Sequence, residues 1–277
     1  MGKRRDMILE FHDDLDLGRI ARSGQCFRWE ERPDGTFRVL RGGDCLYIRP
    51  LGEGRFDLDC TAEEMETVWR GYFDLEEDYA AIRARIDPER DPFLWRASQA
   101  EKGIRILRQD PWETLVSFII SQNRNIPAIR RSVELLAAAC GEEKTDRRGE
   151  RYFAFPSPAA VAALSDEDLR RCALGYRCGY VRAAAEAVES GSLDLGRLMD
   201  AGEAETMAAL TAVRGVGVKV ASCVALFGLH HLNAFPVDVW VRRVLEREYP
   251  QGYPLEEYAP CNGVYQQYMF ACYRNGE

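Results

Sequence analysis

The sequence predicts an α+β protein: an N-terminal antiparallel β-sheet domain followed by a mainly helical domain. Three observations carry this. Short β-like runs separated by tight-turn dipeptides fill the first 60 residues, helical patterning takes over from Thr61, and a Gly-x-Gly turn at 215–217 separates two apolar stretches of helical character. The chain has 277 residues, 46% hydrophobic and 30% charged, enough for one large or two modest domains with a real core. The shift in composition divides it into 1–95, a sheet with flanking helices, and 96–277, helical.

Taken in order, "CFRWE" (26–30), "TFRVLR" (36–41), "DCLYIRP" (44–50) and "GRFDLDC" (54–60) read as strands. Asp34-Gly35 and Gly42-Gly43 are tight turns between them, in a sheet of about five strands. Thr61 followed by Glu64 is a capping-box pattern that opens a helix. In "DPWETLVSFIISQ" Asp110 is the N-cap and Pro111 the first helical residue, with Leu115, Val116, Ile119 and Ile120 on one face. Further helices are expected near 127–140, 157–164, 166–173, 180–190, 203–213, 218–229, 239–248 and 263–274. The polar stretch 141–158 reads as the longest connection.

No run approaches the roughly 18 apolar residues of a membrane span. The start "MGKRRDMILE" lacks the apolar core of a signal peptide, so a cytosolic protein is expected. The nine cysteines include no Cys-x-x-Cys pair, and there are only three histidines, so neither a metal nor another cofactor is expected. Scattered thiols suit a reducing compartment. A net charge of −8 speaks against a nucleic-acid partner unless local patches override it.

The chemistry concentrates in "LTAVRGVGVKVASC" (210–223). Gly215 and Gly217 allow a sharp turn between helices whose amides, with the next helix N-terminus, suit a phosphate; an ordinary helix–helix turn is the plain alternative. A dinucleotide fingerprint needs a third glycine where Val220 stands, and a phosphate loop needs four residues between its glycines. Lys219 is one of only four lysines, the others being Lys3, Lys102 and Lys144. It falls in the first turn of the second helix, where the dipole disfavours the cation, and partial burial would favour the neutral amine further. A neutral amine is a nucleophile, and a guanidinium is not. Asp238 follows as the N-cap of the helix from 239, a rigidly held carboxylate.

Together, the Gly215-Val216-Gly217 hairpin, Lys219 and Asp238 resemble the helix-hairpin-helix (HhH-GPD) DNA glycosylase superfamily. "SGQCFRW" (23–29), "LRQDPWETLVSFIISQNRNI" (107–126), "LGYRCGYV" (174–181) and "GVYQQYMF" (263–270) narrow the resemblance to the 8-oxoguanine DNA glycosylase/AP lyases. The resemblance implies a bifunctional enzyme of base excision repair. It would flip 8-oxoguanine from duplex DNA and excise it through a lysine Schiff base with β-elimination. Lys219 would attack the sugar C1′ and Asp238 would stabilise the cationic sugar. Gly24 would accept the N7 hydrogen of the lesion, Cys223 and Phe270 would sandwich the base, and Gln266 would bond its pairing edge. Tyr176 would wedge the stack, Asn123 and Arg177 would hold the orphaned cytosine, and Gly215 and Gly217 would grip phosphate. A monomer is expected, associated with the nucleoid if the source is prokaryotic.

Three positions depart from the eukaryotic pattern: Ala128 replaces an arginine that reads the opposite cytosine, Arg124 interrupts the Asn run, and Trp240 replaces a histidine. Arginines 124, 130, 131, 177, 182, 242 and 243 are candidates for a basic face, or for a solvated helix surface. Other glycosylases of the superfamily fit less well, since the cysteines do not form an iron–sulfur loop and alkylbase enzymes typically lack the lysine. A non-catalytic DNA-binding module is the remaining alternative.

Overall fold

A computed structural model describes residues 7–275, with nothing described for the side chain of residue 275. Residues 1–6, which hold Lys3 and the amino-terminal reading, and 276–277 lie outside the described residues.

The sheet has five antiparallel strands in the order β1-β5-β4-β3-β2: β1 (Met7–Glu10), β2 (Trp29–Glu31), β3 (Phe37–Arg41), β4 (Asp44–Gly52) and β5 (Arg55–Leu58). Its register pairs Trp29 with Val39, Val39 with Leu46, and Ile48 with Leu58, so alternate residues form one apolar face. Helix α1 (Leu17–Arg22) and the segment 62–73 cover that face through Ile20, Met65, Trp69 and Phe73. The capping box is present, Thr61 and Glu64 satisfying each other's amides at α2 (Ala62–Glu64). A π-helical turn (Met65–Trp69) then leads into α3 (Arg70–Tyr72).

Two expectations need correction. The run at 26–30 becomes strand only from Trp29, because Phe27 turns away to stack edge-on against Phe118 in the helical core, 5.6 Å between centroids. The polar stretch 141–158 contains a hairpin, β6 (Glu143–Thr145) with β7 (Arg151–Phe153). No apolar alternation marks it, because side-chain bonds hold it: Asp146 accepts from the amides of Arg148 and Glu150, from Arg38 at 3.0 Å and from Tyr47 at 2.9 Å.

Helices follow from residue 79: α4 (Tyr79–Ala84), α5 (Pro92–Ala100), α6 (Pro111–Ser121) and α7 (Ile126–Cys140). Next come α8 (Pro158–Ala162), α9 (Asp166–Arg171), α10 (Cys178–Glu189) and α11 (Leu195–Leu198). The set closes with α12 (Glu203–Thr211), α13 (Val218–Phe227), α14 (Val239–Glu248), α15 (Leu255–Tyr258) and α16 (Asn262–Asn275). Asp110 caps α6 as expected, accepting from Glu113 N at 2.8 Å. Leu115, Val116, Ile119 and Ile120 are fully buried, so α6 is the axle against which α7, α10 and α13 pack. Beside the Phe27–Phe118 contact, the seam with the sheet domain has an ionic part: Arg105, fully buried, donates to Asp13 at 2.8 Å and to the carbonyls of Asp14 and Phe73. A buried cation persists only when its donors are satisfied, so this residue ties the two layers together. Among the described residues no helix is long and apolar enough to cross a membrane.

Candidate active site

The hairpin between α12 and α13 is built around Gly215. Its φ is +88°, and a methyl there would sit 2.6 Å or less from three ring carbons of Tyr180. Both facts demand glycine. Gln122 fixes the turn by donating to the Gly215 carbonyl at 3.0 Å. Gly217 differs: nothing stands within 4 Å of a Cβ there, and φ is negative. It is the N-cap of α13 without a capping side chain, and Val218 beside it is 69% exposed. The start of α13 is thus open to an approaching anion.

Lys219 lies in the first turn of α13, its ammonium 5.4 Å from the centre of the Phe118 ring. The residue is exposed in the free protein, so burial does not add to the effect of the helix start. One turn on, Cys223 is 3% exposed. Burial raises its thiol above the ordinary value, Lys219 beside it pulls the other way by charge and hydrogen bond, and Asp238 pushes it up again. The thiol thus stands within the fields of both the amine and the carboxylate. Asp238 caps α14 as predicted, accepting from Val241 N at 2.8 Å.

Helix α16 brings up the opposite wall. Gln266, 3% exposed, donates to the Pro236 carbonyl at 2.9 Å, two residues before Asp238, and accepts from Gln267 at 3.0 Å. One amide hydrogen and one lone pair remain. Phe270, one turn further, lies against Gly24, whose φ is +78° and whose Cβ would meet the ring at 3.5 Å. Gln25 holds the Gly24 turn from below: its amide donates to Arg105 O at 2.9 Å and accepts from Leu107 N at 2.9 Å, while Gln109 donates to its carbonyl at 2.8 Å. Gly24 and Phe270 are therefore in van der Waals contact, while Lys219 and Cys223 share a face of α13 and the thiol also lies in the field of Asp238.

A third group faces the hairpin. Tyr176, 57% exposed on the 3-10 turn Gly175–Arg177, accepts from Asn123 Nδ2 at 3.3 Å. Asn123 is exposed and adopts a left-handed φ of 51°. Arg177 is not exposed with them: at 4% exposure it donates to the carbonyls of Gln122 and Leu174 and stacks on Tyr176 at 4.2 Å. Burial lowers its pKa, Tyr176 opposing this and Arg124 adding to it. Four of the arginines considered for a basic face are bonded to partners in the protein itself, Arg177 buried and the other three half-buried. Arg124 binds Ser132 and the Ala173 carbonyl, Arg130 the Ala21 carbonyl, Arg177 that of Gln122, and Arg182 Asp166 and the Leu164 carbonyl.

Sequence reasoning missed Gln122 and Gln25 as organisers. The signal was the same for both, Gln25 standing inside "SGQCFRW" and Gln122 inside the quoted stretch 107–126, but their partners are distant in sequence. No group of three or more His, Cys, Asp or Glu among the described residues could hold a metal ion.

Comparison with known proteins defines the class and then the family. The profile of the 8-oxoguanine DNA glycosylase N-terminal domain matches residues 7–115, and that of the HhH-GPD superfamily of base excision DNA repair proteins matches residues 116–252. The N-glycosylase/DNA lyase of Saccharomyces cerevisiae is 37% identical over 260 residues, covering 85% of this chain and 69% of that one. The "Probable N-glycosylase/DNA lyase" of Methanothermobacter thermautotrophicus is 29% identical over 274 residues, covering 86% and 83%. The Clostridium acetobutylicum 8-oxoguanine glycosylase/lyase, solved with double-stranded DNA containing cytosine opposite 8-oxoG, superposes with a TM-score of 0.89 at 32% identity, covering 98% of both chains. The fold is that of the helix-hairpin-helix base-excision proteins. Within them, this chain belongs to the 8-oxoguanine DNA glycosylase family.

Proposed function

We propose that this protein excises 8-oxoguanine from duplex DNA and cleaves the resulting abasic strand through Lys219. The observation that carries the reading is the exposed Lys219 amine at the open start of α13, one turn from Cys223, whose thiol lies within the electrostatic reach of both Lys219 and Asp238. The amine attacks C1′ as the C1′–N9 bond breaks, and the base leaves with the bonding pair and gains a proton. The sugar ring opens to a Schiff base. Loss of a C2′ proton then expels the 3′ oxygen, and water returns the amine. Asp238, held by its cap bond, offsets the positive charge that develops on the sugar. Exclusion of solvent by the bound nucleotide strengthens that interaction.

The Gly24 carbonyl supplies the discrimination: 8-oxoguanine carries an N7 hydrogen that guanine lacks, so guanine leaves an acceptor facing an acceptor. Cys223 and Phe270 take the faces of the base and Gln266 its pairing edge. Tyr176 fills the gap in the stack, Asn123 and Arg177 meet the orphaned cytosine, and Gly215 and Gly217 keep the hairpin close to phosphate. For Arg177 this requires release from the Gln122 carbonyl when DNA binds. The protein acts as a monomer on DNA, in the nucleoid if the source is prokaryotic, without a cofactor.

Borohydride trapping on an 8-oxoguanine duplex tests the reading. A covalent adduct that Lys219→Gln abolishes is expected. Salt-dependent binding with no adduct would mean a binding module, and base release with no adduct would mean an enzyme that lacks lyase chemistry.

A further inference from the structure

Arg274 belongs to none of the roles above, yet it touches both the Gly24 segment and Phe270. Its Nη1 donates to the Arg22 carbonyl at 3.1 Å, just before the Ser23-Gly24 turn. Its guanidinium carbon lies 5.8 Å from the centre of the Phe270 ring, one helical turn back on α16. The same Nη1 is 3.9 Å from where a Cβ on Gly24 would sit. One side chain thus spans from the last turn of α1, in the sheet domain, to the aromatic wall on α16. The other side of the Gly24 turn is fixed by Gln25 and Gln109. Beyond the packing of Gly24 on Phe270, the Arg274–Arg22 bond is the described hydrogen bond that joins this segment to α16.

We propose that Arg274 is a positioning residue for lesion recognition: it ties the segment before Gly24 to the helix that carries Phe270 and so fixes where the Gly24 carbonyl stands relative to the flipped base. The proposal rests on the reading of Gly24 as the N7 acceptor and Phe270 as a face of the base site. Geometry gives Arg274 this role in preference to a general structural one. The hold of α16 on the core comes from Val264, Tyr265, Tyr268 and Met269, all fully buried, whereas Arg274 is partly exposed and reaches across the surface. A hydrogen-bond acceptor works only at a fixed distance from its donor, so a Gly24 carbonyl free to drift loses the contrast between lesion and guanine before the lysine loses its chemistry. An abasic sugar has no base to read. Its cleavage should therefore ignore Arg274.

The test compares Arg274→Ala and Arg274→Lys with the unsubstituted chain on two duplexes, one carrying 8-oxoguanine opposite cytosine and one carrying a preformed abasic site. Single-turnover excision of 8-oxoguanine should fall about tenfold in the alanine variant, the scale of one lost charge-assisted hydrogen bond. Borohydride trapping at the abasic site should stay within about twofold, on the same principle that untouched contacts keep their contribution. Lysine, which can still donate to the Arg22 carbonyl, should recover most of the loss. Excision at the unsubstituted rate in Arg274→Ala overturns the proposal. So does an equal loss on both duplexes, which would make Arg274 a residue of general stability. If the unsubstituted chain traps no abasic DNA, the site reading beneath the proposal fails and the proposal with it.

Discussion

Replacing Gly215 with alanine perturbs the hairpin at its tightest point. Two costs can be separated. At φ +88° an L-residue is strained by about 1–2 kcal/mol. The methyl also enters the Tyr180 ring, within 2.6 Å of three of its carbons, and overpacking of that kind costs about 1–3 kcal/mol. The sum is about 2–5 kcal/mol, which at about 2–4 °C per kcal/mol for a chain of this size lowers Tm by roughly 4–20 °C. Thermal unfolding of Gly215→Ala, Tyr180→Ala and the double variant reads both parts. Removing the ring should relieve the collision and leave the strain, giving a coupling of about 1–3 kcal/mol. Trapping of abasic DNA should fall with the displaced turn. Strict additivity in the cycle, or a Gly215→Ala protein within about 0.5 kcal/mol of the unsubstituted one, would refute the packing argument. Gly217→Ala, by contrast, meets no atom in the free protein, so it should fold normally and weaken DNA binding.

Asp238→Asn should keep the α14 cap, since asparagine caps as well as aspartate, while excision falls about 100-fold or more; equal loss of stability and activity would make the carboxylate merely structural. Glu113, beside Arg28 and the Gly42 amide, is pushed up to about 7 by burial, against the pull of Arg28. Its folded pKa is raised, so the folded state binds the extra proton and stability declines as pH rises from about 4.5 through about 7. Denaturant titrations should therefore show that decline flattened in Glu113→Gln, and an unchanged pH profile would contradict it. With Ala128 in place of a cytosine-reading arginine and Arg124 tied to Ser132 and Ala173, excision should discriminate weakly among C, A, G and T partners. Discrimination as strong as in the eukaryotic enzymes would count against that reading.

Local signals survived the passage from sequence to structure, and long-range ones did not. The caps at Thr61, Asp110 and Asp238 are contained within four residues, so their chemistry could be read directly. The sheet was legible through its turns. β1 gained its place only by pairing Met7 with Leu58 across the domain, which four residues of sequence cannot announce. The β6–β7 hairpin depends on Asp146 meeting Arg38 and Tyr47, and Phe27 left its strand for Phe118. In the site, Lys219 and Cys223 share a helix face by spacing alone. That Gly215 is glycine because of Tyr180, and that Arg124 and Arg177 are consumed by carbonyls, are facts of tertiary packing.

The central claim is that the amine of Lys219 forms the covalent bond to DNA. Peptide mapping of the borohydride-reduced adduct tests it most directly. Trypsin cuts the free chain after Arg214, Lys219 and Arg242. A sugar remnant on Lys219 blocks the middle cut, so the account predicts an uncleaved peptide 215–242 that carries the added mass. The same mass on Lys3, Lys102, Lys144 or the chain's amino terminus, with normal cleavage after Lys219, would contradict it.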